Sequence, residues 1–128
     1  MTAPSWIQET IAEFGRGAGI ENFAFNDYDV AALAFSSGAV LAFEYAYSSL
    51  SVMITVPLVC DSENAKRILS FATPERRGDF RVKTGFMPRG DKAFFAIRLP
   101  HEEVSLPVLN AAFSYLRRLA DQFGEGVK

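Results

Sequence analysis

The spacing of apolar positions changes along the chain, and each change marks an element. Between Val30 and Val59 the period is two. Ala31, Leu33 and Phe35 share one face of a first extended run, and Leu41, Phe43, Tyr45 and Tyr47 share a face of a second. Val52, Ile54, Val56 and Leu58 share a face of a third, opposite Met53, Thr55 and Pro57. Period-two alternation with β-branched and aromatic residues predicts strands. Ser36-Ser37-Gly38 supplies a residue that accepts positive φ, as a short hairpin requires, and Ser48-Ser49 gives a weaker turn signal. The stretch therefore predicts a three-stranded antiparallel meander.

Helical spacing brackets this meander. Ile7, Ile11 and Phe14 recur at i, i+4 and i+7, predicting an amphipathic helix over 5–16. Ser5 with Gln8 fits a capping box, and Gly15, Gly17 and Gly19 act as the stop. Ile20 to Phe25 reads as a short extended piece, followed by a turn at Asn26-Asp27-Tyr28-Asp29. Asp61 or Ser62 caps a second helix reaching Ala72, with Ala65, Ile68, Leu69 and Ala72 as its stripe. Thr73-Pro74 ends it, because a residue before proline avoids the helical region.

Two more strands follow. Phe80, Val82, Thr84 and Phe86 alternate with Arg81, Lys83 and Gly85. Between Lys92 and Leu99, Phe95, Ile97 and Leu99 face one way and Phe94, Ala96 and Arg98 the other, so neither face is simply wet. Ser105 caps a last helix with Pro107 in its first turn, where a missing N–H costs little. Leu109, Phe113, Leu116, Ala120 and Phe123 form its stripe, and Gly124 is its expected end. The order α-β-β-β-α-β-β-α predicts an α+β fold, a twisted antiparallel sheet with helices packed on one side. At 128 residues the chain suits one domain, taken as 1–128.

Charge and cysteine content narrow the function classes. Thirteen Lys and Arg against fifteen Asp and Glu leave a net charge of −2, which argues against nucleic acid as a partner. Cys60 is the single cysteine, so no internal disulfide forms and a reducing compartment is expected. The N-terminal stretch lacks a secretory pattern, and no run approaches the ~18 apolar residues of a membrane span. A cytoplasmic protein is the expectation. Hydrophobic residues make up 49% of the chain and include 12 Phe, while charged residues make up 22%. That balance predicts apolar surface left over for a partner.

Candidate chemistry adds little. The glycines at 15, 17 and 19 follow a helix instead of joining a strand to a helix N-terminus, so they are not a nucleotide loop. The Asn26–Asp29 carboxylates lack the Gly and Glu offsets of a calcium loop. His101, beside Glu102 and Glu103, has no second ligand cluster for a metal. A Cys60–His101 dyad is the one enzymatic reading, and nothing in the sequence brings the two together. No catalytic residue, metal or cofactor is expected.

Several short stretches carry a family resemblance. They are Phe14-Gly15 leading to Gly19-Ile20, Leu33-x-Phe35 with Gly38, Leu41-x-Phe43-Glu44, and the third strand ending at Pro57-Leu58. Leu99-Pro100 before a Leu-rich amphipathic helix fits as well. In order, length and spacing the chain resembles the class I type III secretion chaperones of the Tir-chaperone type, small cytoplasmic escorts of bacterial effectors. The resemblance implies a homodimer that binds the non-globular N-terminal region of a secreted effector and keeps it secretion-competent. The candidate effector-binding residues are Trp6, Ile7, Phe23, Phe25, Leu33, Phe35 and Phe43, and those for the dimer contact are Ile68, Leu69 and Phe71. A regulatory or adaptor domain of the same fold, binding a folded partner, is the alternative reading.

Overall fold

The alternating runs become a five-stranded antiparallel sheet in the computed structural model, which describes residues 3–70, 80–88 and 91–127, with side chains as far as 122. Helix α1 spans Ser5–Gly17. Strands β1 (Val30–Ala34), β2 (Val40–Ala46) and β3 (Ser49–Pro57) form the expected meander. Helix α2 (Ser62–Leu69), strands β4 (Lys83–Phe86) and β5 (Lys92–Pro100), and helix α3 (Leu106–Val127) complete the order. The strands lie β1-β2-β3-β5-β4, so β1 and β4 are the two edges.

Register sets the core. Leu41 stands opposite Ile54 and Phe43 opposite Val52. Across the next ladder Ile54 meets Phe95, Val52 meets Ile97 and Leu50 meets Leu99. All eight side chains are buried on one face, where Ile7 and Ile11 of α1 and Leu109, Ala112 and Leu116 of α3 cover them. Each such aliphatic or aromatic side chain contributes about 1.5–3 kcal/mol when fully buried. On the reverse face Val40, Ala42, Met53, Phe94 and Ala96 are half-buried, and Thr55 is buried among them.

The two hairpin turns are built differently. Gly38, with φ +94°, turns β1 into β2, as its sequence position predicts. Ala46 pairs with Ser49, so the second turn is Tyr47-Ser48, one residue earlier than expected. Both residues have positive φ (52° and 58°), the geometry that matches the twist of a two-residue hairpin. The register of two buried faces sets this turn against local propensity.

Helix ends also depart from expectation. Pro4 occupies the N-cap position of α1, so Ser5 lies inside the helix and no side chain caps it. Gln8 instead donates from Nε2 to the Ala3 carbonyl at 2.7 Å. Gly15 does not end α1; it is buried in the last turn. Asp61 caps α2 as expected, accepting from the Asn64 N–H at 2.8 Å. The predicted continuation of α2 beyond Ser70 falls outside the described residues. Helix α3 runs through Gly124 to Val127. Residues 20–25 are not a strand, and the His101 segment is a single 3₁₀ turn, His101–Glu103. Regular pairing in the fourth strand begins at Lys83, with Phe80 and Val82 already buried ahead of it.

Candidate functional site

Aromatic residues from five segments meet beside β1. Phe14 of α1 packs edge-on against Phe43 of β2 at 5.0 Å and against Phe113 of α3 at 5.7 Å. Phe23 reaches Phe43 from the loop before β1. Phe35, just past the end of β1, stacks flat on Phe113, with centroids 6.1 Å apart and planes 6° from parallel. The inner members of this cluster, Phe14, Phe23 and Phe43, are buried; the outer members, Phe35 and Phe113, are half-buried, as are Phe25 and Leu33. An apolar rim therefore continues from core to surface along the outermost strand.

The polar groups around β1 hold that rim in place. Asn26 accepts on Oδ1 from the N–H groups of Tyr28 and Val30, at 2.8 and 3.1 Å, fixing the turn into the strand. Asp29 takes φ 58° and accepts on Oδ1 from the Ala3 N–H, tying the start of α1 to the start of β1. β1 pairs with β2 alone; on its outer side Asn26 takes both main-chain groups of Val30, and those of Ala32 and Ala34 face away from the sheet. A strand edge without a partner strand, beside half-buried apolar side chains, is the arrangement that accepts an added strand from another chain.

Two further patches lie away from this rim. Trp6 is 41% exposed and meets His101 edge-on at 5.1 Å, while His101 Nδ1 lies 3.3 Å from the Tyr45 hydroxyl. On α2, Leu69 is 67% exposed, and Val59 ahead of the helix is exposed to a similar degree. Ile68 turns the other way. It is buried, and its carbonyl accepts from Thr84 Oγ1 of β4 at 3.2 Å.

Cys60 and His101 sit at opposite ends of the sheet. The His101 N–H donates to Ser48, beside the start of β3, whereas Cys60 follows the far end of that strand. The length of β3 separates them by roughly 25 Å. Among the described residues no group of three or more His, Cys, Asp or Glu is placed to hold a metal ion. No helix among them is long and apolar enough to cross a membrane.

The family model for the type III secretory system chaperone SycN matches residues 6–123. The chain belongs to this family. The SycN family is one of chaperones, not of enzymes. Solved structures agree in fold. One is the ExsC-ExsE complex, 17% identical, with a TM-score of 0.78 over 98% of this chain and 96% of that one. Another is the Yersinia pestis type III secretion chaperone SycH in complex with a stable fragment of YscM2. It is 14% identical, with a TM-score of 0.71 over 91% of this chain and 98% of that one. The HopA1-SchA chaperone-effector complex, also 14% identical, gives a TM-score of 0.65 over 96% and 98% of the two chains. No curated protein matches the chain in sequence.

Within this SycN-family chain the candidate residues divide by burial. Ile7, Phe23 and Phe43 wall the core, and Ile7 and Phe43 expose no area at all. Phe25, Leu33 and Phe35 form the outer rim, and Trp6 stands at a separate exposed position. Of the dimer candidates, Ile68 faces β4, Leu69 faces solvent, and Phe71 lies outside the described residues. Phe113 belongs to the rim but read in the sequence only as part of a helix stripe. Its i, i+4 spacing placed it on the inner face, and only the stack on Phe35 shows that it reaches the edge. The described phenylalanines are buried or half-buried, so the apolar surplus at the surface is carried by half-buried rings and by Trp6, Tyr28, Tyr47, Val59 and Leu69.

Proposed function

We propose that this SycN-family chain is a cytoplasmic chaperone without chemistry of its own. It binds, as a homodimer, the non-globular N-terminal region of a secreted effector and keeps that region competent for secretion. The observation that carries this reading is the outer edge of β1 at Ala32 and Ala34, beside half-buried Phe25, Leu33 and Phe35. An extended segment adds to the edge through main-chain hydrogen bonds and sends alternate side chains towards the apolar rim. Ordering that segment costs conformational entropy, and burial of apolar surface on both partners offsets it. The neighbouring structures support the reading, since the HopA1-SchA complex pairs a chaperone of this fold with an effector. The exposed Leu69 face of α2 is the proposed contact with the second copy.

The test is capture of partners by the tagged chain from the cytoplasm of the bacterium that makes it, followed by limited proteolysis of what is held. A protected segment near the partner's N-terminus, bound equally well as an isolated fragment, supports the proposal. A partner held only when folded supports the adaptor alternative instead.

A further inference from the structure

The reverse face of the sheet carries a charged hollow of about 830 Å³ at its β4 side. Three cations line it: Arg81, Lys83 and Arg98. Lys83 stands opposite Ala96, and Arg98 is two residues further along β5. Arg81 precedes Lys83 by two residues, so the strand period puts it on the same side, next to Arg98. All three are exposed, and among the described residues no ion pair or hydrogen bond engages their side chains. Like charges on neighbouring positions of one sheet face repel. Among the described residues Glu44 is the only carboxylate lining the hollow. It stands two strands from Arg98, with Ser51 between, about 9–10 Å at ordinary strand spacing.

A chain of net charge −2 thus gathers three cations, without ion-pair partners among the described residues, in one concavity. We propose that this hollow binds acidic side chains of the polypeptide the protein escorts. The proposal rests on the chaperone reading and adds a specificity to it. Guanidinium groups meet carboxylates through paired, charge-assisted hydrogen bonds, which a neutral amide does not reproduce. Ala46, Ala96 and Pro100 supply apolar wall beside the charges. That combination suits an extended segment in which carboxylates alternate with aliphatic side chains better than it suits a bare anion. The volume falls in the range of built ligand sites.

The probe is a short labelled synthetic peptide in which Leu alternates with Asp, compared with its Leu/Asn counterpart by fluorescence anisotropy. The wild-type protein is expected to bind the Asp peptide roughly tenfold more tightly, the scale of one charge-assisted hydrogen bond. The preference is lost in the double variant Arg81→Gln/Arg98→Gln and weakened but still present in Arg98→Lys, which keeps the charge without the paired hydrogen bonds. Circular dichroism and sedimentation establish that each variant keeps its fold and mass. Equal affinity for the two peptides, or a preference that survives in the double variant, overturns the proposal. So does a changed oligomeric mass in the double variant, because the occupant is then a second copy. Failure here, with a native N-terminal segment still captured, removes only this specificity; failure to capture any non-globular segment removes the chaperone reading beneath it.

Discussion

Phe23 packs directly on the bare Cα of Gly15. A β-carbon built at position 15 lies 2.9 Å from Phe23 Cγ and closer still to its Cβ. The glycine lets the last turn of α1 touch the segment that leads into β1, and it sets the height of the aromatic cluster above the sheet. Gly15→Ala gains about 1 kcal/mol of helix propensity but overpacks a buried contact at about 1–3 kcal/mol. A net loss of up to about 2 kcal/mol is expected from urea unfolding. Gly17→Ala, where a β-carbon meets nothing within 4 Å, is expected to be neutral or slightly stabilising.

Rim and core separate in their responses. Phe43 exposes no area, so Phe43→Ala is expected to cost about 3–5 kcal/mol of stability. Phe25→Asp, at a half-buried rim position, is expected to lower partner affinity by more than it lowers stability. Parallel titration and unfolding experiments decide this. Equal losses in both would make Phe25 a core residue.

Leu69 is the sharpest test of self-association. Leu69→Asp is expected to shift the sedimenting species from dimer to monomer while changing monomer stability by only about 0.5 kcal/mol, because the side chain is 67% exposed. An unchanged dimer would place the contact on another face.

Neither reactive side chain is expected to be needed for binding. Cys60→Ala and His101→Ala are each expected to leave partner affinity unchanged. His101→Ala is expected to cost about 1 kcal/mol of stability, since Trp6 loses its edge-on ring and Tyr45 its 3.3 Å neighbour. A tenfold affinity loss with an intact dimer would reopen a direct role for either residue.

Element order was legible because two periods alternate cleanly. Leu41-x-Phe43-x-Tyr45 and Val52-x-Ile54-x-Val56 announce strands in whatever company they keep. Details decided by tertiary packing were not legible. Tyr47 and Ser48 have no strong preference for positive φ, yet two buried ladders leave only those residues for the turn. Gln8 lies three residues after Ser5 as a capping box needs, but Pro4 takes the cap position. For the site, the strand at the rim was visible, whereas the depth of each ring was not. Phe23 and Phe25 alternate on the same side in sequence, and only the contact with Gly15 shows why the first is buried. The basic hollow needed the pairing of β4 with β5, because Arg81 and Arg98 are neighbours only through that register.

The placement of β1 and β4 at opposite margins has a thermodynamic consequence. Four inter-strand gaps, roughly 19 Å, lie between them. Ligation at one margin takes nothing away sterically from the other. One polypeptide long enough to reach both gains from the link, because its second contact forms within the complex, and it leaves only when both contacts open.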